Sequence, residues 1–301
     1  MDDPGFLSSA RVAILGLGLM GGSLALALKG KCASLVGADP QPSARRLAME
    51  GEVVERVSAN PAEILPEADV VILAAPVQAI IDLIGKLPAL HPGRAVVLDL
   101  GSTKRQIMDA MGELPERFDP IGGHPMCGKE KSSLAHAEAT LFQDAPFAFT
   151  PMDRTSSQGR ALADELARAV GAVPLWLDAE THDRWTAATS HLPYLLASAL
   201  AISTPFEARP MVGPGFRGTA RLSGSSTVMM LDILATNRQN ILASLENYCE
   251  QLDIFKNLLG REDFSALQVL LAEGAGRYED FINPKVDRGD AWTYSYLLEP
   301  L

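Results

Sequence analysis

Residues Arg11 to Ser23, RVAILGLGLMGGS, join a short apolar strand to three glycines and the start of a helix, and the reading of this junction decides the fold. Val12, Ala13, Ile14 and Leu15 make an unbroken apolar run of strand length. Gly16, Gly18 and Gly21 follow at GxGxxG spacing, ahead of an apolar helix over Leu24 to Leu28. Gly16 permits a tight turn, Gly18 lets a ligand come close to the backbone, and Gly21 lets the helix pack on the strand. The free N–H groups at the helix start, around Leu19 and Met20, then face a negative group, which suits a dinucleotide pyrophosphate. A second strand, Ser34 to Ala38, ends in Asp39. That is near the offset of about twenty residues at which a carboxylate accepts hydrogen bonds from adenosine ribose hydroxyls. Its charge repels a 2′-phosphate, so NAD is expected in preference to NADP.

Beyond Asp39 apolar strands keep alternating with helical stretches. Helix is expected over Ala44 to Glu50, strand over Val70 to Ala74, helix over Val77 to Ile84, strand over Ala95 to Leu98 and helix over Lys104 to Met111. This rhythm predicts a doubly wound α/β domain with a parallel sheet and crossover helices. Ligands in such sheets lie beyond the carboxyl ends of the strands, which draws attention to Ala75 and Pro76, to Asp99 to Ser102, and to the segment Ile121 to Ser133. A strand over Pro146 to Thr150, a helix over Gln158 to Val170 and a strand over Val173 to Leu177 extend the sheet. From Ala179 onward only helical patterns follow: His182 to Ile202, Thr219 to Leu234, Asn237 to Leu259 and Phe264 to Phe281. The prolines and glycines of Ser203 to Gly218 break them. A domain boundary is therefore expected near Asp178, with residues 1–178 binding nucleotide and 179–301 helical. The apolar runs Leu192 to Leu200 and Val228 to Ile233 exceed what so small a bundle can cover, which points to burial between two subunits.

At 301 residues, 47% hydrophobic and with a formal net charge of −11, the chain has size for two domains and lacks the basic surface that nucleic acid or anionic lipid requires. Cys32, Cys127 and Cys249 are scattered, form no CxxC and offer neither a disulfide framework nor a zinc pattern, so no metal is expected. The first residues, MDDPGFLSS, carry no apolar signal region, and no apolar run is long enough to span a bilayer, so a cytoplasmic protein is expected.

His124, after Gly122 and Gly123 and beyond an expected strand end, is placed to accept a proton from an alcohol while hydride leaves the same carbon for a nicotinamide. Ser102 reads either as a helix N-cap or as the group that holds His124 in the right tautomer. Cys127 could be a thiol nucleophile or half of a metal site, but no third ligand stands near it in sequence. His182 and Asp183 open a helix. His191 lies on a largely apolar helix that Pro193 should kink, and reads as a core histidine. Arg221 stands among small and apolar residues, a costly place without an anion, which is either a ligand carboxylate or a structural ion-pair partner.

In order, GLGLMGGS, DLGSTK, GGHPMCGKEKS, HDRWTAATSHLP and GFRGTARL resemble the motifs of the prephenate and arogenate dehydrogenase family of tyrosine biosynthesis. The resemblance implies a Rossmann-type α/β domain followed by an all-α helical dimerisation domain, the active site lying between them in a homodimer. It also implies NAD(P)-dependent oxidative decarboxylation of a small dianionic cyclohexadienol to 4-hydroxyphenylpyruvate or tyrosine. By the same resemblance His124 is the catalytic histidine, Ser102 orients it, and Arg221 holds a substrate carboxylate. Glu130 and Lys131 stand at the mouth of the cleft, and His182 lies near the substrate. Tyr194 replaces a third histidine and Met230 stands near a usual tryptophan, so the choice between prephenate and arogenate stays open. Two other readings fit the nucleotide fingerprint: a β-hydroxyacid-type dehydrogenase, which would carry a lysine in a GxxxK helix not found here, and an NAD-sensing protein without chemistry.

Overall fold

The computed structural model describes residues 5–129, 131 and 133–283. Eight strands form one sheet in the order β3-β2-β1-β4-β5-β6-β7-β8. They are β1 Arg11–Leu15, β2 Ser34–Ala38, β3 Arg56–Ser58, β4 Val70–Leu73, β5 Ala95–Asp99, β6 Phe118–Pro125, β7 Pro146–Pro151 and β8 Val173–Trp176. Strands β1 to β6 are parallel, whereas β7 pairs antiparallel with β6, and β8 is parallel to β7. The doubly wound parallel sheet is as expected over β1 to β6, and the strands that extend it enter with this one reversal. Among the described residues no α-helix crosses over between β6 and β7, and a chain that returns without a crossover lays its strand down antiparallel.

The helices of the sheet region are α1 Phe6–Ser9, α2 Leu19–Leu28, α3 Pro42–Glu50, α4 Val77–Leu90, α5 Arg105–Gly112 and α6 Ser157–Val170. Side chains alternate across β1. Val12 and Ile14 join Leu24 and Leu28 of α2 and Leu162 and Leu166 of α6 on one face, while Ala13 and Leu15 join Ile80 and Ile84 of α4 and Ile107 of α5 on the other. Every residue of β4 and β5 is buried, as parallel strands covered on both faces must be. Each apolar side chain so buried contributes about 1.5–3 kcal/mol. A charge in the same layer is tolerated only with specific partners.

The strand order reverses between β1 and β4, and the residues after those two strands, Gly16 to Gly18 and Ala74 to Pro76, open the crevice where such sheets bind ligands. After β8 come α7 Ala179–Thr186, α8 Leu192–Ser203, α9 Pro214–Ala220, α10 Thr227–Thr236, α11 Arg238–Gly260 and α12 Phe264–Ile282. Instead of one kinked helix over His182 to Ile202, α7 and α8 flank a π-helical turn, Ala187–His191. Pro193 has no N–H to donate and crowds the turn before it, which the wider turn relieves. The single helix expected over Thr219 to Leu234 is also divided. A 3-10 turn, Arg221–Gly224, precedes α10, whose start is capped by Ser226 accepting from the Met229 N–H.

Two compact units divide the chain, Met1–Arg238 and Gln239–Leu301. The first runs well past Asp178, because the loop after β5 is hydrogen-bonded to Asp183 of α7 and Thr236 of α10. Among the described residues no helix is long and apolar enough to cross a membrane.

Candidate active site

The glycine turn is shaped by the strands beneath it. Gly16 has φ +100°, and a Cβ there would lie 2.2 Å from the Ala74 carbonyl oxygen, while one at Gly21 would lie 1.9 Å from the Gly16 oxygen. Gly18 has open space on its Cα instead, and it precedes α2, whose start has no side-chain cap. The unbonded N–H groups of the first turn are therefore left for a ligand, and an anion fits that cradle. Gly18, Leu19, Met20, Ala75 and Pro76 line one cavity of about 530 Å³. Asp39 is buried at the end of β2. Its Oδ2 accepts from the Leu17 N–H at 2.7 Å and its Oδ1 from the Gln41 N–H at 2.8 Å, so it also braces the glycine turn, a task the sequence did not show.

His124 lies within β6, one residue before its end, and not beyond the strand as the glycines had implied. A Cβ at Gly123 would meet the Asp99 carbonyl oxygen at 2.6 Å, so this glycine permits β6 to lie close against the end of β5. His124 lines the cavity, and its Nδ1 is 2.9 Å from Nε2 of His182. Nδ1 of His182 is 2.8 Å from Oδ1 of Asp183. That carboxylate also accepts the N–H groups of Lys104, at 2.7 Å to Oδ1, and Arg105, at 3.0 Å to Oδ2. Asp183 thus closes the start of α5. Ser102 does not cap that helix, which begins two residues too late for it. Ser102 instead lines the cavity with His124, and forms no hydrogen bond to it among the described residues.

Under His124 sits a buried ion pair. Lys104 and Asp99 are both 0% exposed, and Lys104 Nζ donates to Asp99 Oδ2 and, at 2.7 Å, to the Gly123 carbonyl. Asp99 Oδ1 accepts the Gly123 N–H at 3.1 Å. Both polar groups of the residue before His124 are therefore gripped. Burial pushes Asp99 up and Lys104 down, and each opposes the other's shift. Burial, with help from His182, Lys104 and His191, holds His124 well below the ordinary histidine value, so its ring is neutral at pH 7. Burial also lowers His182 against the pull of Asp183, and lowers His191 to about 4. Asp183 is pushed up by burial, but the His182 ring and the N–H groups of Arg105 and Lys104 outweigh this and hold it below the usual carboxylate range.

Tyr194 and Lys131 line the same cavity, with Lys129, Met229, Met230 and Leu222. Lys129 is paired to Glu138 at 2.6 Å. Cys127 also borders the cavity, but burial raises its thiol to about 11, which leaves it protonated and unsuited as a nucleophile. His182 is 1% exposed behind His124 and is not on the cavity wall; where substrate contact was expected, its ring meets that of His124. Arg221 is exposed, not in the apolar setting its neighbours implied, and Leu222 rather than Arg221 reaches the wall. Glu130 lies outside the described residues. His191 is buried with Nδ1 3.2 Å from Asn237 Nδ2, the core role expected of it. Among the described residues no cluster of His, Cys, Asp or Glu could hold a metal ion. Asp99 lies in a segment the sequence singles out, but its pairing with Lys104 was missed; the signal was an Asp and a Lys five positions apart in DLGSTK, at the end of a fully apolar strand.

The family model described as prephenate dehydrogenase, nucleotide-binding domain, matches residues 24–175, and that of the prephenate dehydrogenase dimerization domain matches 178–273. The chain is 32% identical to the prephenate dehydrogenase of Bacillus subtilis, over 84% of this chain and 71% of that one. A crystal structure of prephenate dehydrogenase from A. aeolicus in complex with hydroxyphenyl propionate and NAD+ is similar with a TM-score of 0.84 and 28% identity, covering 92% of this chain and 99% of that one. Synechocystis arogenate dehydrogenase is similar with a TM-score of 0.77 and 27% identity, covering 90% and 99%.

Proposed function

This chain belongs to the prephenate dehydrogenase family, and from that premise we propose that it carries out NAD-dependent oxidative decarboxylation of prephenate, arogenate or both. The observation that carries the reading is one cavity that holds the glycine turn and a neutral histidine together. NAD, when bound, accepts the hydride from C4 of the substrate ring. Gly18, Leu19 and Met20 offer it the start of α2, and Asp39 stands at the end of β2 for the ribose. His124 takes the proton of the C4 hydroxyl on Nε2, the nitrogen turned away from His182. The ring ketone so formed is conjugated to the carbon bearing the carboxylate. Loss of CO2 sends that bond's electron pair into the ring, the ketone oxygen takes back a proton, and the phenol results. Ser102 and Tyr194 line the same cavity as His124 and are assigned to the substrate's surroundings.

The substrate is a dianion, and Lys131 and Lys129 are the described cations on the cavity wall. Arg221, one residue before Leu222, and Lys131 complete the substrate side of the proposal, to which the family resemblance also assigns Glu130. We place the functional division at Asp178, with 1–178 for nucleotide and 179–301 for substrate and dimerisation. A homodimer through the helical part, working in the cytoplasm, fits the apolar side chains exposed on α11 and α12, Leu252, Leu259, Val269, Leu271 and Phe281 among them. Light scattering should then give twice the chain mass.

NADH formation with prephenate and arogenate side by side, at equal concentration, tests the reaction. Turnover of at least one, with release of CO2, is expected. No turnover of either contradicts the proposal.

A further inference from the structure

The nitrogen that His124 turns away from the cavity leads into a chain of contacts that ends at a carboxylate. We infer that His182 and Asp183 are positioning residues: they fix His124 as the Nδ1–H tautomer, with the Nε2 lone pair toward the cavity, and stabilise the charge formed when Nε2 takes a proton. This assignment rests on His124 being the base of the proposed reaction.

Each link follows from the one before. Main-chain N–H groups only donate, and those of Lys104 and Arg105 each point at one oxygen of Asp183. The positive end of α5 faces the same group, which further favours the ionised form. An ionised carboxylate has no proton to give, so Nδ1 of His182 donates to Oδ1. A neutral imidazole carries one N–H. Nε2 of His182 therefore accepts, and Nδ1 of His124, 2.9 Å away, must be the donor. A doubly protonated His182 would reverse the last step. The groups around it oppose that state, since burial and the ammonium of Lys104 outweigh the attraction of Asp183 and Asp99.

The pair is itself held in place. Asn237 Nδ2 donates to the Asp183 carbonyl at 2.6 Å, and the Thr186 hydroxyl donates to the His182 carbonyl at 3.0 Å. Lys104 joins the two sides, its N–H on Asp183 and its ammonium on the peptide before His124. When Nε2 gains a proton, the His124 cation keeps its Nδ1–H on His182, and the carboxylate behind that ring offsets the charge. Asp183 stays ionised throughout, as in other carboxylate–histidine pairs.

The test is 15N NMR of the full-length protein labelled at histidine, with the His124 resonances identified by their loss in His124→Asn, together with kinetics of variants. Wild type should show His124 protonated at Nδ1 and unprotonated at Nε2 at pH 7.5. In Asp183→Asn the new amide can donate to His182, so both rings invert. There kcat should fall about a hundredfold or more, while KM and the NAD dissociation constant stay within about threefold. His182→Gln, whose Oε1 still accepts from Nδ1–H, should retain more activity than His182→Leu. A wild-type His124 carrying its proton on Nε2 overturns the assignment, as does Asp183→Asn with wild-type kcat. The wild-type spectrum needs no turnover and none of the Asp183 or His182 variants, only His124→Asn for its assignment. It therefore decides the tautomer even where a variant fails to fold, and a wild type with the stated tautomer but no turnover would count against the reaction instead.

Discussion

The main-chain N–H of Lys104 lies 2.7 Å from Oδ1 of Asp183, which ties the loop after β5 to α7 behind the His124 and His182 rings. The Lys104 side chain reaches the other way, to Asp99 and to the carbonyl of Gly123. One residue thus fixes the floor of the site through its backbone and the strand bearing His124 through its ammonium.

Removing that ammonium leaves the Asp99 carboxylate buried without its counter-charge. Lys104→Met should lose about 3–5 kcal/mol of stability, the usual cost of breaking a buried pair. Replacing both members by apolar residues, Lys104→Met with Asp99→Leu, should recover part of it. Urea unfolding measures both, and a single variant with an unchanged midpoint would contradict the role given to the pair.

Acid should weaken the fold before the carboxylates titrate. His124, His182 and His191 all have folded values below the ordinary histidine pKa, His191 at about 4. A depressed folded value means that the unfolded chain binds more protons, so this stability is complete above about pH 6.5 and lost as pH falls below it. Tm should drop between pH 7 and pH 5, and kcat/KM should stay level through about pH 6.5, because a base held well below that value is still neutral there. A Tm that is flat or rises on acidification would refute the assignment of neutral buried rings.

Asp39 braces the glycine turn through Oδ2 and brings a negative charge to the end of β2. A 2′-phosphate placed there meets like charge, which costs several kcal/mol. Rates with NADP should be at least about tenfold below those with NAD, and equal kcat/KM for the two would be evidence against this placement of the ribose.

Arg221 is exposed beside the cavity wall. If it meets a substrate carboxylate, Arg221→Ala removes a charge-assisted bond worth about 1.5–3 kcal/mol, and KM should rise about tenfold or more. An unchanged KM assigns Arg221 to a structural contact.

The sheet was legible because its signals are local. The apolar run of β1, the glycines and the terminal Asp39 each have a fixed meaning at short range, and β2 falls on the expected Ser34 to Ala38. The three-residue β3 was not legible, since Arg56, Val57 and Ser58 carry no apolar run. The reversal at β7 depends on a long connection, and periodicity does not report direction. In the site, His124 and the glycine turn stood out by type and spacing. The pairing of His124 with His182, 58 residues apart in sequence, is a tertiary contact that no local pattern encodes, and so is the capping of α5 by Asp183. The cap, one of two readings open for Ser102, rests on a serine before a helix being the common local solution; a carboxylate from a distant helix takes that place.

The central claim, that His124 is the base for hydride removal in this cavity, is tested most directly by NADH formation from prephenate and arogenate in His124→Asn alongside wild type, with NAD binding measured on both. The account predicts turnover lowered by about a hundredfold or more with NAD affinity unchanged. Wild-type turnover in the variant would contradict it.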